Sequence, residues 1–290
     1  MKRILIVGSG DVALRAIPWL VKRFTVYAVV RRAETAAGLR AQGAIPLLAD
    51  LDDPRTLRRL AGIADAVMHF APPPPSGSHD PRTARLLAAV ARRGSLPQRL
   101  IYISTTGVYG DCGGARVDET RPCRPDTARA RRRVDAERRV RRFAARNGVR
   151  VSILRAPGIY AADRLPLERL RARTPVLRAE DDVYTSHIHA DDLAAIALRA
   201  LEPDAPPGVY NAADDTEMRM GDWLDLVADF SGVPRLPRVP RSQITSLFAT
   251  ESRRLDNRRL KTVLGFTPRY RTVHEGLRPR FAYDQALGVD

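Results

Sequence analysis

The chain has 290 residues, 44% of them hydrophobic and 28% charged, the length of one large folded unit or two closely joined ones. This composition excludes a disordered tail, a coiled coil and a collagen-like repeat, and no apolar run approaches the ~18 residues of a membrane span. Lysine and arginine total 49 against 33 acids, for a net charge of +16, which raises the question of nucleic acid.

The bases are nearly all arginine, with lysine only at Lys2, Lys22 and Lys261. Such a skew fits a GC-rich coding sequence better than selection for phosphate contacts, and nucleic-acid binding is the weaker alternative. A chain this long buries roughly 75% of its unfolded surface and needs no disulfide or metal staples. Cys112 and Cys123 are therefore expected as free thiols in a reducing compartment. With a first strand at Ile4 there is no room for a signal peptide, and a cytoplasmic location is expected.

In chain order, strands are predicted at 4–7, 26–30, 44–48, 66–70, 100–103 and 151–154, each an apolar run of strand length. Helices are predicted between them, notably at 54–61 behind Asp53 and at 81–93 behind Asp80, each with a proline at its first position. Pro18 should kink or shorten the first helix. The arginine-dense stretch 129–146 is interleaved with Val134, Ala136, Val140, Phe143 and Ala144 at helical spacing. It reads as an amphipathic helix whose arginines face solvent or a partner.

Strand and helix alternating at this spacing predict right-handed βαβ units and a parallel sheet covered on both faces. Beyond Arg155 the pattern loosens. Helices are predicted at 164–173, 191–201, 223–230, 243–249 and 258–264, and short strands at 186–188 and 209–211. The fold class is α/β, a doubly wound parallel sheet with a smaller, mostly helical C-terminal lobe. Residues 1–160, completed by about 183–212, form the sheet domain, and 161–182 with 213–290 form the smaller, substrate-binding lobe.

Gly8-Ser9-Gly10-Asp11-Val12-Ala13 joins the first strand to the first helix. Gly8 permits the tight turn, and Gly10 lets backbone approach a pyrophosphate seated on the helix N-terminus. Ala13 stands where a third glycine would allow close helix–strand packing. After the second strand, where an NAD site carries an acid for the ribose 2′-hydroxyl, the chain has Arg31 and Arg32. A guanidinium pair suits a 2′-phosphate, so NADP is expected over NAD. The alternative is two arginines on a solvated loop.

A longer ordered series follows: Ala49-Asp50-Leu51, His69-Phe70-Ala71, Ser104-Thr105-Thr106-Gly107-Val108-Tyr109-Gly110, Leu154-Arg155-Ala156-Pro157-Gly158-Ile159-Tyr160, His187-Ile188-His189-Ala190-Asp191-Asp192-Leu193, Tyr210-Asn211-Ala212 and Leu264-Gly265-Phe266. With the N-terminal glycines, this series resembles the extended short-chain dehydrogenase/reductase superfamily, its NAD-dependent epimerase/dehydratase group, across nearly the whole chain. The resemblance implies an NAD(P)-binding Rossmann fold. It implies that Asp50 and Leu51 hold the adenine, that Phe70, Ala71 and Pro72 line the path of the ribose and nicotinamide, and that Pro157 lies near the nicotinamide. It also implies that Thr105 hydrogen-bonds the reacting oxygen.

The family's Tyr-x-x-x-Lys pair is missing. Anchored on Pro125 and on Glu137 at the family's later acid, the tyrosine position falls on Arg129 and the lysine position on Arg133. Arginine cannot cycle a proton near neutral pH, although Arg133 could still hold a ribose. A substitute acid could come from Tyr109, the better placed, with its pKa lowered by nearby arginines, or from Tyr160; the alternatives are that both tyrosines pack in the wall and that water handles the proton. His69, His187 and His189 are expected to be structural.

The sequence therefore points to an NADP-preferring oxidoreductase or epimerase/dehydratase-like protein acting on a small molecule. A non-catalytic NADP-binding redox sensor is the alternative. The resemblance also implies a homodimer through the helix at 127–147, provided Asp135 and Glu137 interleave with the arginines across the twofold.

Overall fold

The computed structural model describes residues 1–244 and 251–278. Seven strands make the central sheet: β1 (Arg3–Val7), β2 (Thr25–Val30), β3 (Ile45–Leu48), β4 (Ala66–His69), β5 (Arg99–Thr105), β6 (Arg150–Ala156) and β7 (Gly208–Asn211). Their spatial order is 3-2-1-4-5-6-7, and every neighbouring pair is parallel. The order reverses between β1 and β4. Ligands of open α/β sheets bind at such a switch point, outside the carboxyl ends of the strands.

Side chains alternate between two cores. Ile4 and Ile6 pack with Ala13, Ile17, Leu193 and Ile196 on one face, and Leu5 and Val7 pack with Leu86, Leu87, Val140 and Phe143 on the other. Burial on both faces explains why the inner strands read as unbroken apolar runs. A separate core of Tyr160, Leu170, Trp223, Leu224, Val227 and Val273 holds the smaller lobe together.

The helix after β1, Asp11–Leu20, ends two residues past Pro18. The helix at Pro81–Val90 is capped by Asp80, whose carboxylate accepts from the Thr83 amide. The long helix Ala128–Asn147 starts at a Thr127 cap and ends at Gly148 in the left-handed region. The segment expected as a helix at 54–61 is instead the 3₁₀ turn Thr56–Leu60. The Thr56 hydroxyl binds the carbonyls of Asp50 and Asp53, and the Asp53 carboxylate accepts from the Arg55 amide; such local bonds compete with α-helix. The expected helix at 164–173 shrinks to Leu167–Arg171 behind Pro166. That at 258–264 shrinks to Arg258–Thr262. The helix expected at 243–249 lies, after Ile244, outside the described residues.

Among the described residues, no helix is long and apolar enough to cross a membrane. Both cysteines are free thiols, Cys112 buried and Cys123 half-buried.

Candidate functional site

At the switch point, the Phe70 and Ala71 amides both donate to the Val7 carbonyl at 2.8 Å. This bond brings the β4 loop against Gly8, which has φ +99°, and a Cβ there would lie 2.3 Å from the Ala71 nitrogen. Only glycine fits this turn. Gly10 differs: a Cβ on it would meet no atom within 4 Å. It is the N-cap of the first helix and offers no capping side chain. The helix therefore presents uncapped amides to an open space, as an anion site requires.

That space is a cleft of about 490 Å³ lined by Gly8, Ser9, Gly10, Asp11, Val12, Arg31, Arg32, Asp50, Leu51, Phe70, Ala71, Pro72, Arg129 and Arg133, among others. It thus gathers every sequence-predicted cofactor residue except Pro157. The Ser9 hydroxyl donates to the Val29 carbonyl at 2.8 Å, tying the turn to β2. Asp11 is neutralised from two sides, by Arg15 and Arg164, both at 3.0 Å. Three polar lining residues are not marked by the sequence: Thr35, Arg82 and Arg164. Arg82 binds the Pro72 and Pro73 carbonyls and the Asp52 carboxylate, fastening the β4 loop to the β3 loop. Nothing local in the sequence marks that role, because its partners lie 9–30 positions away.

A second cleft of about 470 Å³ adjoins the first. Its lining includes Thr105, Arg129, Pro157, Ile159, Tyr160, Arg164, Arg169, Tyr184, His187 and Trp223. Arg129, Ile159 and Arg164 line both clefts, whereas Thr105 and Pro157 line only the second. Thr105 caps the short turn after β5, its hydroxyl accepting from the Gly107 amide at 3.3 Å.

Arg129 and Arg133 stand one turn apart on the helix Ala128–Asn147. Arg133 is buried, and its Nη1 donates to the Tyr102 hydroxyl at 3.0 Å and the Ile103 carbonyl at 2.8 Å. Desolvation, with Arg133 and Arg132 close by, holds the Arg129 guanidinium below the usual arginine range. The helix is locked to the sheet by Glu137, which is 0% exposed. Glu137 accepts from Ser104 at 2.7 Å, Arg155 at 2.9 Å and Arg141 at 2.8 Å. Burial alone would raise its pKa; these hydrogen bonds hold it below the ordinary value. Asp135 is likewise occupied within the chain, by the Asp80 amide and Arg139, both at 2.8 Å. Both acids that the expected homodimer would interleave with arginines are thus engaged within the chain.

Tyr109 does not sit where a substitute acid was expected. It is 1% exposed, lines neither cleft and donates to Asn211 Oδ1 at 2.7 Å. Burial pushes its pKa up to about 12 against the opposing pull of Arg155; the expected lowering by Arg129 and Arg133 is not found. Tyr160 faces the second cleft, but its hydroxyl donates to the Thr272 carbonyl at 3.2 Å and burial raises its pKa further still.

His69, His187 and His189 are buried and neutral. Thr83 gives its proton to Asp80, at 2.7 Å, so His69 Nε2 must donate to the Thr83 oxygen at 2.8 Å. His189 Nδ1 accepts from the Asp191 amide at 3.2 Å as a helix cap. His187 packs on Trp223, with centroids 4.3 Å apart. Desolvation lowers the three to about 3, 4 and 3 for His69, His189 and His187.

A family model described as the NAD dependent epimerase/dehydratase family matches residues 18–213. The chain belongs to this family. A curated relative, the 4-hydroxy-2-methyl-3-oxo-4-farnesyl-3,4-dihydroquinoline-1-oxide ketoreductase of Stigmatella aurantiaca, is 28% identical over 250 residues, covering 80% of this chain and 74% of that protein. A solved protein of unknown function from Silicibacter pomeroyi is 28% identical with a TM-score of 0.79, covering 96% and 97% of the two chains. The UDP-glucose 4-epimerase of Thermus thermophilus, solved with NAD, shares the fold at 20% identity and TM-score 0.75 over 100% of both chains.

These relatives correct the expectation of NADP: similar structures solved with a dinucleotide, including a UDP-glucuronic acid 4-epimerase of Bacillus cereus, hold NAD.

Proposed function

We propose that the protein binds NAD along the first cleft and uses it on a small molecule held in the second, as an oxidoreductase or epimerase/dehydratase-type enzyme without the usual acid/base pair. The observation that carries this reading is the open, uncapped helix start at Gly10, joined through the Arg129 wall to a second cleft of similar size. When bound, NAD supplies a hydride acceptor or, reduced, a hydride donor. Gly8, Ser9 and Gly10 would cradle its diphosphate, Asp50 and Leu51 its adenine, and Phe70, Ala71 and Arg133 the path toward the nicotinamide. Thr105 would orient the reacting oxygen, with Pro157 in the same cleft wall.

At the positions read as the family's Tyr and Lys, Arg129 and Arg133 provide positive charge and no transferable proton. A fixed guanidinium can stabilise oxygen charge as it develops, leaving water to exchange the proton. Loss of a positioned acid/base costs about 10²–10⁴ in rate, so turnover would be slow. The burial of Tyr109 and Tyr160 also favours a second reading, an NAD-binding regulatory protein without turnover. NADH fluorescence, followed by assays on an aldehyde, ketone and sugar-nucleotide panel, separates the two. Binding with turnover supports the enzyme, binding alone supports the regulator, and no binding removes both.

A further inference from the structure

The second cleft is cationic in an uneven way. Two of its arginines are neutralised: Arg164 by Asp11 at 3.0 Å and Arg253 by Glu251 at 2.9 Å. Arg129 and Arg169 have no carboxylate within salt-bridge distance and no side-chain hydrogen bond among the described residues. Arg169 Nε is buried without a partner, as is Nδ1 of His187 in the same wall. The acid whose field reaches Arg169 is Asp182, but its carboxylate already accepts from the Val183 amide at 2.8 Å, the Gly221 amide at 3.0 Å and Arg238 at 3.4 Å. A buried donor left unpaired is costly. Arg169 Nε is such a donor, and Arg129, exposed in the same cleft, is a second guanidinium without an acid among the described residues; the pair suits an anion.

Position selects the kind of anion. Arg129 lines both clefts and adjoins Thr105 in the second, so a group bound to it lies beside the carbon that exchanges hydride. A planar guanidinium forks onto a carboxylate. The wall also offers apolar surface from Ile159, Leu165, Met220 and Trp223, beside the hydroxyls of Thr106, Thr127, Thr185 and Ser186.

We infer that the second cleft takes a carboxylate group attached to, or one carbon from, the reacting carbon, held by Arg129 and Arg169, with an apolar body against Trp223 and Met220. The substrate class is then an oxo or hydroxy acid with an apolar substituent. In the reducing direction, the hydride's electron pair forms the new C–H bond at the carbonyl carbon. The carbonyl π pair moves onto oxygen, water supplies the proton, and the reduced dinucleotide is the species oxidised. This inference rests on the NAD reading above and deepens it.

The test is binding rather than turnover. Oxidised NAD is titrated first, and its failure to bind would sink the NAD reading itself. With NAD saturating, pyruvate, phenylpyruvate, 2-oxooctanoate, the neutral ketone 4-phenylbutan-2-one and UDP-glucose are titrated by calorimetry. The expected result is binding of at least one apolar oxo acid and at least about tenfold weaker binding of the neutral ketone, the worth of one charge-assisted hydrogen-bond pair. Arg129→Leu and Arg169→Leu should each weaken the oxo acid by about tenfold or more. Arg129→Lys should recover part of that loss by restoring the charge without the fork. Arg169→Leu should leave the NAD affinity unchanged, which also reports that the variant is folded. Equal binding of acid and ketone, preference for UDP-glucose, no binding of any oxo acid, or indifference to Arg169→Leu would each overturn the inference.

Discussion

The two clefts meet at one helix but are built from different materials. The first is made of backbone: a glycine turn, two amides on the Val7 carbonyl and a helix start without a capping side chain. The second is made of side chains from segments distant in sequence: arginines, aromatic rings and a buried histidine. Backbone geometry tolerates few sequences, whereas a side-chain wall can be rewritten at little cost to the fold. Within one domain, nucleotide recognition can therefore stay fixed while the chemistry beside it changes.

The sharpest way to break that contrast is Gly10→Val. A Cβ there meets no protein atom within 4 Å, and the valine methyls would intrude on the space before the helix amides. NAD affinity should fall by about 100-fold, comparable to losing two hydrogen bonds to a charged group. The melting temperature should move little, apart from the ~1 kcal/mol of a poorer N-cap. Unchanged affinity would show that the turn is not the diphosphate cradle.

Next in size is Glu137→Ala, which leaves Arg155 buried without its acid. A loss of about 3–5 kcal/mol is expected in urea unfolding, because this carboxylate fixes the arginine-bearing helix to β5 and β6. A loss under about 1 kcal/mol would mean that the two clefts do not share this anchor.

The parts of the molecule readable from sequence follow the same division. The Gly8–Ala13 turn, the cap at Asp80, the cap at Thr127 and the apolar runs of β1, β4 and β5 are local and announce themselves. Tyr109 could not be placed in this way. Its burial depends on Asn211, 102 positions away, so nearness in sequence to the strand end suggested a cleft that the phenol does not reach. Arg82, Arg164 and Arg169 were invisible for the same reason: in an arginine-rich chain, only the fold tells which guanidinium is paired. Arg31 and Arg32 suggest a 2′-phosphate by position alone, whereas similar structures solved with a dinucleotide hold NAD.

Acid should probe the buried histidines, of which His187 lines the second cleft. His69, His187 and His189 titrate far below an ordinary histidine, so the unfolded chain binds more protons below pH ~6.5. Stability should therefore fall as pH drops from ~6.5 toward 4, with a slope of about 1.4 kcal/mol per pH unit for each histidine. His187→Gln should flatten the slope; an unchanged slope would contradict neutral burial. Asp214, which burial pushes up to about 8, works in the opposite sense. It favours the fold below the unfolded aspartate pKa and loses that advantage as pH rises through about 8. Asp214→Asn should remove that loss.

Tyr109→Phe should be milder. It leaves Asn211 Oδ1 one donor short, costing about 1 kcal/mol, and any turnover should stay within about twofold of wild type, because the phenol lines neither cleft. A tenfold loss of kcat would restore it as the acid. The smallest effect concerns association. With Asp135 and Glu137 engaged inside the chain, light scattering at low salt should show a monomer, and a low-salt dimer would require acids from elsewhere.

One titration bears most directly on the whole account: oxidised NAD into the wild-type protein, followed by calorimetry at neutral pH. A single saturable site that Gly10→Val weakens by about 100-fold is the predicted result. Absence of heat in the wild type, or equal heats in both proteins, would contradict it.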